Sequence, residues 1–224
     1  MSTSETDFDG LALLDEEGWT ANNHYHDLLL SHVPQNCENA LEIGCGTGAF
    51  ARALAKRCKR VVALDLSSEM IRVARSRSAQ FENLEFQLAD AMTWEFPQSH
   101  FAFVCSIATL HHLDQRRLLG KIRDALKPAG VLVVLDLVAS EGLADRMRDV
   151  IGLGVSPMLR LFHNGRLQSP PEVRKAWAQH GKHDSYSTVT QMRALATEIL
   201  PAADVRRHLL WRYSLVYRKS ELVG

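Results

Sequence analysis

The segment Leu41-Glu-Ile-Gly-Cys-Gly-Thr-Gly48 carries the strongest fold signal in this chain of 224 residues. It ends a short apolar run with closely spaced glycines, and residues 49–55 then predict a helix. Glycine permits a sharp turn and lets the backbone approach a ligand, while the free N–H groups of a helix start face the same place. We therefore expect a strand, a glycine loop and a helix that together form a ligand cradle.

The glycines alone do not identify the ligand. Gly44, Gly46 and Ala49 also satisfy the dinucleotide pattern G-x-G-x-x-G/A. Asp65 lies 21 residues after Gly44, close to the ~20 expected for a ribose-binding carboxylate. A nicotinamide-dependent dehydrogenase is therefore one candidate. Glu42 argues against it, because a negative charge beside the loop would repel a pyrophosphate and favour a cationic ligand.

Composition limits the function classes. The length and the 46% content of hydrophobic residues fit one globular domain. Lys plus Arg equal Asp plus Glu at 26 each, so no overall charge attracts nucleic acid. The 4 cysteines form no C-x-x-C pair, so we expect neither a disulfide framework nor a metal site. With no leader pattern and no apolar run of about 20 residues, we expect a cytoplasmic protein without a membrane span.

Strand and helix patterns alternate along much of the chain. Short apolar runs predict strands at residues 40–43, 61–64, 84–88, 101–105 and 131–138. Apolar residues at helical spacing predict helices between some of these strands, at residues 67–77 and 114–126. This alternation predicts an α/β, doubly wound, mostly parallel sheet covered by helices on both faces. In such a sheet the ligand lies outside the carboxyl ends of the strands.

The pattern changes after the fifth predicted strand. Residues 140–182 are rich in glycine and proline and contain short helical patches at residues 143–151 and 172–179. We interpret residues 140–182 as an insertion that can cover the pocket.

The C-terminal region predicts a helix at residues 188–200 and antiparallel strands at residues 204–210 and 212–217. We therefore expect a single domain over residues 1–224. Its expected parts are an N-terminal flap or helix (1–37), a cofactor-binding core (38–138), the insertion or cap (140–182), and a C-terminal helix with antiparallel strands (183–224).

Acidic or histidine side chains stand at the ends of successive predicted strands. This series indicates the kind of ligand more specifically than the glycines do. With these residues the chain resembles the class I S-adenosylmethionine-dependent methyltransferases of the small, single-domain kind. The resemblance rests on five motifs: Glu42-Ile-Gly-Cys-Gly-Thr-Gly48, Asp65, Asp90, Leu110-His-His-Leu113 and Lys127-Pro-Ala-Gly130. It covers residues 38–138 and implies a Rossmann-like sheet of about seven strands with an antiparallel C-terminal strand. It also implies S-adenosylmethionine as the methyl donor and S-adenosylhomocysteine as the product.

The resemblance implies a set of cofactor contacts along these strand ends. From the methionine side to the adenine side, they are Glu42, Gly44, Cys45, Gly46, Gly48, Asp65, Leu66, Met70, Asp90, Ala91 and Met92. Asp65 would bind the ribose hydroxyls, and Glu42 would orient the loop or meet the amino group indirectly. We also expect contacts from Ser106, at the end of the fourth strand, and from Tyr25 in the N-terminal flap.

His111 and His112 are the candidate catalytic residues. An imidazole can accept a proton near neutral pH, which would help an oxygen, nitrogen or sulfur nucleophile attack the methyl group. The Leu-His-His-Leu motif is frequent in the family irrespective of substrate, so the alternative is a role in shaping the pocket floor.

The leading hypothesis is an enzyme that methylates a small molecule by in-line displacement, at an O, N, S or C atom. Such a reaction mainly needs alignment of the reactants and exclusion of water. A nucleic-acid or protein methyltransferase is the second hypothesis. Residues 106–109 (Ser-Ile-Ala-Thr) weaken it, because they lack the Asn/Asp-Pro-Pro-aromatic motif of enzymes that methylate base amines. The third hypothesis is a protein that binds the cofactor without catalysis.

Overall fold

A computed structural model describes residues 18–181 and 184–221. Its 7-stranded sheet has the order β3-β2-β1-β4-β5-β7-β6. The strands are β1 (Asn39–Ile43), β2 (Arg60–Asp65), β3 (Leu84–Leu88), β4 (Phe101–Ile107), β5 (Leu126–Leu137), β6 (Asp204–Arg207) and β7 (Arg212–Arg218). Strands β1 to β5 pair in parallel, whereas β7 runs antiparallel to both β5 and β6. The predicted doubly wound, mostly parallel sheet is confirmed.

Helices cover both faces of this sheet. They are α1 (His26–Leu30), α2 (Ala49–Ala55), α3 (Ser68–Ser76), α4 (Gln115–Ala125), α5 (Gly142–Asn164), α6 (Pro171–His180) and α7 (Val189–Ile199). The side chain of Ser67 caps α3 by accepting from the Met70 amide, as its position predicts, and Asp114 caps α4 in the same way. None of the described helices combines the length and the apolar character that a membrane crossing needs. Residues 1–17 of the predicted flap lie outside the described residues.

The side chains of β1 alternate between the two faces of the sheet. Leu41 and Ile43 belong to the core that includes residues of α4 and α7, while Ala40 belongs to the core on the side of α1 and α2. Because side chains alternate along a strand, Glu42 points to the same side as Ala40. The last acidic residue before the glycine loop is thereby directed toward the helix that follows the loop.

The insertion differs from its prediction. Residues 143–151 do not form a separate short helix, because α5 continues for 23 residues through Gly152, Gly154 and Pro157. The contacts of α5 with the body explain this continuity. Val155 and Leu159 of α5 pack against the core on the side of α1 and α2, and a Cβ added at Gly152 would lie in ordinary contact with the Trp211 ring, at 3.6 Å. The helix ends at Gly165, which has a left-handed φ of 68°.

Two strand boundaries also differ from the prediction. Strand β5 begins at Leu126, and the predicted Lys127–Gly130 turn is an irregularity within it, where the register with β4 shifts. Strand β6 ends at Arg207, before the predicted end at residue 210. Leu210 and Trp211 both have φ of 57°, a left-handed conformation that ends the pairing and turns the chain into β7.

Candidate functional site

The three glycines of the loop after β1 have different structural roles. All have left-handed φ values: 73° at Gly44, 52° at Gly46 and 81° at Gly48. A Cβ at Gly44 would lie 2.0 Å from Oγ1 of Thr109, and one at Gly48 would lie 2.8 Å from Cζ of Phe86. At Gly46 the nearest atom would be Met70 Sδ at 4.0 Å. Gly44 and Gly48 are therefore required by packing, whereas Gly46 borders open space where a ligand can approach.

Asp65, the last residue of β2, fixes this loop. Its Oδ2 accepts a 2.8 Å hydrogen bond from the Gly46 amide, and its Oδ1 accepts a 2.9 Å bond from the Ser67 amide. The amides of Gly44 and Cys45 both donate to the Leu64 carbonyl at 2.9 Å. The carboxylate thus holds the glycine loop and the start of α3 together at the carboxyl edge of the sheet.

Glu42 presents a buried carboxyl group beside the loop. The residue is 2% exposed, and among the described residues its Oε2 has no hydrogen-bond partner. Burial and the nearby Asp65 raise the pKa of Glu42 well above its ordinary value, although Arg52 opposes the shift. A buried carboxyl oxygen without a partner is costly, so it fits a ligand with a donor group. The ammonium group of S-adenosylmethionine is such a donor.

The predicted adenine side lies at the ends of β2 and β3. Asp90 Oδ1 accepts a 2.8 Å bond from the Met92 amide, which makes a tight turn after β3. Ala91 is buried, and Leu66 is 40% exposed. Met70, on α3, places its sulfur nearest to the open side of Gly46. The exposed Leu66 and the Met70 sulfur beside Gly46 therefore offer apolar contacts of the kind that line small-molecule sites.

Two predicted cofactor contacts have partners inside the protein instead. Ser106 is fully buried, and its hydroxyl donates to the Ile43 carbonyl at 3.1 Å. The Tyr25 hydroxyl donates to the Leu209 carbonyl at 2.8 Å. The Tyr25 ring lies in the core on the side of α1 and α2, where burial raises its pKa. The Ser106 bond connects β4 to β1, and the Tyr25 bond connects the N-terminal segment to the segment between β6 and β7. We therefore do not include Ser106 and Tyr25 among the proposed cofactor contacts.

A second polar group lies at the ends of β4 and β5. His111 lies in the short turn after β4, and its backbone amide donates to Asp136 Oδ2 at 2.9 Å. Its ring Nδ1 lies 2.6 Å from Asp136 Oδ1, and the two side chains are 4% and 1% exposed. Because the aspartate accepts at Nδ1, the tautomer with the proton on Nδ1 fits, and Nε2 keeps its lone pair.

Asp184 and Tyr186 complete this polar group from the segment before α7. Asp184 Oδ2 lies 3.8 Å from His111 Nε2, and its Oδ1 lies 3.4 Å from His112 Nδ1. The Tyr186 hydroxyl donates to Asp184 Oδ2 at 3.0 Å. Burial and this hydrogen bond raise the pKa of Tyr186 to about 12. The structure thereby adds Asp136, Asp184 and Tyr186 to the two histidines that the sequence predicts.

Arg212 connects this polar group to the N-terminal segment. It begins β7 opposite Leu137 and is 9% exposed. Its Nε donates to Asn22 Oδ1 at 2.9 Å. Burial lowers the pKa of Arg212, and the nearby Asp136 opposes that shift. A buried guanidinium therefore lies beside the buried carboxylate that holds His111.

The N-terminal segment is also attached to the insertion. The Trp19 amide donates to Asn164 Oδ1 at 2.7 Å, and Asn164 Nδ2 donates back to the Trp19 carbonyl at 3.0 Å. The Trp19 ring stacks on His163 with centroids 6.2 Å apart. The segment before α1 and the end of α5 therefore form one connected unit.

Comparison with known proteins agrees with this geometry. A methyltransferase-domain family matches residues 40–130. An uncharacterized methyltransferase of Mycobacterium tuberculosis is 30% identical over 209 residues, which cover 91% of this chain and 98% of that protein. The ubiquinone biosynthesis O-methyltransferase of Xylella fastidiosa is 29% identical over 161 residues, which cover 69% of this chain and 64% of that protein.

A solved structure shows the same fold over the whole length. The N-methyltransferase NodS of Bradyrhizobium japonicum, in complex with S-adenosylhomocysteine, superposes with a TM-score of 0.66 at 18% identity. The alignment covers 98% of this chain and 100% of NodS. The sequence motifs, the strand order and the mycobacterial relative, which is matched over 98% of its length, show the family. This chain belongs to the class I S-adenosylmethionine-dependent methyltransferases.

Proposed function

We propose that this enzyme methylates a small molecule that enters a recess beside His111 and Tyr186. The observation that carries the proposal is the recess itself, which has a volume of about 500 Å³ and is lined by these two residues together with Leu113, Gln115 and Gln191. Its volume lies in the range of small-molecule sites. The side chains of His111, Asp136 and Asp184 beside the recess are only 4%, 1% and 9% exposed, so an acceptor must enter the protein to reach them.

On the donor side, the proposed cofactor contacts follow the carboxyl edge of the sheet. Glu42 meets the amino group with its Oε2, and the backbone at Gly44, Cys45, Gly46 and Gly48 lines the methionine part. Asp65 binds the ribose, and the adenine lies among Leu66, Met70, Asp90, Ala91 and Met92. When bound, S-adenosylmethionine supplies an electrophilic methyl group. The chain contributes a fixed loop, because Asp65 already holds Gly46 in place.

On the acceptor side, we assign His111 and His112 to acceptor activation. Asp136 fixes the His111 ring so that Nε2 faces Asp184. Nε2 is then the atom that can accept a proton or bind a Lewis acid near the acceptor. The N-terminal segment and α5, joined through Trp19 and Asn164, would help exclude water.

The relatives support a small acceptor. The Xylella relative is named for O-methylation in ubiquinone biosynthesis, which is chemistry on a small molecule. The equal numbers of basic and acidic residues provide no surplus of positive charge for a nucleic-acid partner.

The test combines cofactor binding with a methyl-transfer assay. Calorimetry with S-adenosylhomocysteine should show saturable binding that D65A weakens at least tenfold, whereas D204A, at an exposed carboxylate of β6, should bind like the wild type. Tritiated S-adenosylmethionine should label at least one member of a panel of phenols, quinols, amines and thiols. H111Q should lower that transfer at least tenfold while the Kd for S-adenosylhomocysteine changes less than twofold. Transfer to RNA or protein but to no small molecule would contradict the proposal, as would saturable binding without turnover on any class.

A further inference from the structure

Two histidines and one aspartate converge beside the recess, which is lined by one of the histidines. His111 and His112 follow β4, whereas Asp184 precedes α7. Each offers one ligand atom, and these atoms all lie within 4.8 Å of one another. The sequence predicts no metal site, since its cysteines form no C-x-x-C pair. The histidines and the aspartate lie far apart along the chain, and only the fold brings them together.

The distances between the ligand atoms are close to those of a metal site. Metal–nitrogen and metal–oxygen bonds of about 2.0–2.2 Å at tetrahedral or octahedral angles place neighbouring ligand atoms about 3 to 3.6 Å apart. Asp184 Oδ1 lies 3.4 Å from His112 Nδ1, and Asp184 Oδ2 lies 3.8 Å from His111 Nε2. One ligand atom from each of the three residues lies within 4.8 Å of the other two, so a contraction of about 1 Å would bring all three ligands around one ion.

The surroundings orient these ligands. Asp136 holds Nδ1 of His111 at 2.6 Å and leaves Nε2 to coordinate. A carboxylate behind a histidine is the usual second layer of a metal site, because it fixes the ring and increases its basicity. Tyr186 donates to Asp184 Oδ2 and fixes that carboxylate as well. The arrangement therefore supplies ligands together with the hydrogen bonds that orient two of them.

The cluster is open on one side. The side chains of His111 and Asp184 are 4% and 9% exposed, whereas that of His112 is 22% exposed. His111 also lines the recess. An ion bound there would have three protein ligands and coordination positions left for a small molecule.

We propose that His111, His112 and Asp184 bind one divalent transition-metal ion. Two imidazoles with one carboxylate favour Zn²⁺, Co²⁺, Mn²⁺ or Fe²⁺ over Mg²⁺ and Ca²⁺, which prefer oxygen ligands. Metal binding goes beyond the proposed function and does not require it. Its consequence for the reaction does rest on the proposed function: the ion would bind an acceptor hydroxyl and make its proton easier to remove.

The experiment measures the metal directly, without cofactor or acceptor. The full chain, without a polyhistidine tag, is freed of metal and titrated with Co²⁺ by visible absorption and with Zn²⁺ by calorimetry. We expect one ion per chain, and we expect H112A and D184A each to weaken binding at least tenfold. H100A is the matched control, because His100 is an exposed histidine outside the cluster, and it should bind like the wild type.

Measurements of folding and of cofactor binding distinguish a specific loss of metal binding from general unfolding of a variant. Circular dichroism and the Kd for S-adenosylhomocysteine verify that each variant is folded, and H112A removes the most exposed ligand. The absence of saturable binding at one ion per chain would overturn the proposal. Equal metal affinity of the wild type, H112A and D184A would also overturn it. Either result would leave the proposed methyl transfer untouched, because that activity is measured separately.

Discussion

At the scale of single residues, the glycine loop separates positions required by packing from a position left open for a ligand. Gly44 lies against Thr109, and Gly48 lies against Phe86. A Cβ added at Gly46 would have only Met70 as near as 4.0 Å, while the amide of Gly46 is held by Asp65. The same residue type therefore serves folding at two positions and ligand approach at the third.

This difference predicts that the same substitution lowers stability mainly at Gly44 and cofactor binding mainly at Gly46. G44A should lower the free energy of unfolding by about 2–4 kcal/mol, because a left-handed backbone and a clash with Thr109 add together. G46A should lower it by only about 1 kcal/mol, since its Cβ meets open space. Its methyl group would instead occupy the proposed cofactor space and weaken S-adenosylhomocysteine at least tenfold. Urea unfolding and calorimetry check both values, and equal destabilisation of the two variants would contradict the prediction.

The residues of the site differ in how well the sequence predicts them. Glu42, Asp65 and Asp90 stand next to glycines or at the ends of successive predicted strands, and it is this series that makes them visible in the sequence. Asp136 lies inside the apolar run of β5, and nothing in that run marks its contact with His111. Asp184 is separated from the histidines by an insertion. Such residues become visible only when the fold brings distant segments together.

At the scale of elements, a half-buried histidine joins α1 to the helix after the glycine loop. The His26 ring packs edge to face on Phe50 of α2, with centroids 4.9 Å apart. Burial lowers the pKa of His26 from 6.5 to about 4, while Asp27 opposes the shift. The neutral imidazole is therefore the form that fits between α1 and the helix after the glycine loop.

The stability of the protein should therefore fall in acid in a defined range. Below pH 6.5 the unfolded chain protonates His26, whereas the folded chain resists protonation down to about pH 4. Stability is lost as the pH falls through this window, by about 2–3 kcal/mol. H26F should reduce this loss, because phenylalanine keeps the ring contact and does not titrate. Urea unfolding between pH 4 and pH 7 is the measurement, with the exposed-site variant H100Q as control. An unchanged pH slope in H26F would show that other groups are responsible.

The connection between the N-terminal segment and α5 leads to a second prediction for the elements. N164A removes both hydrogen bonds with Trp19, each worth about 0.5–1.5 kcal/mol. If this unit closes the acceptor recess, N164A should raise KM for the acceptor several-fold and leave the Kd for S-adenosylhomocysteine unchanged. Steady-state kinetics and calorimetry separate the two effects, and Q168A, at an exposed position near the same helix end, is the control. Equal changes in both constants would argue for a general loss of structure.

The helix α5 shows where sequence patterns give way to tertiary contacts. Glycine and proline at positions 152, 154 and 157 predict a break. The helix nevertheless continues, because Val155 and Leu159, on either side of Pro157, pack against the core. The strands and capped helices of the core follow local rules and were predictable to within a few residues. The insertion follows its contacts with the body, which no local pattern reveals.

At the scale of the whole molecule, one buried arginine attaches the insertion to the far edge of the sheet. Arg207, the last residue of β6, has a side chain that is 6% exposed and lies between two acids of α5. Its Nε is 3.2 Å from Asp145, and its Nη2 is 2.8 Å from Asp149. The sheet edge and the insertion are thereby connected by charge as well as by packing.

Neighbouring arginines make this attachment testable with a matched pair. R207A removes the buried cation between two partly buried carboxylates and should lower the free energy of unfolding by about 3 kcal/mol. Arg206 is 73% exposed and pairs only locally with Asp204, so R206A should cost less than about 1 kcal/mol. Thermal unfolding gives both values, and limited proteolysis should cut R207A within residues 142–164 faster than R206A. Equal stability and equal cleavage of the two variants would mean that the ion pairs between Arg207 and these two acids contribute no net attachment of α5.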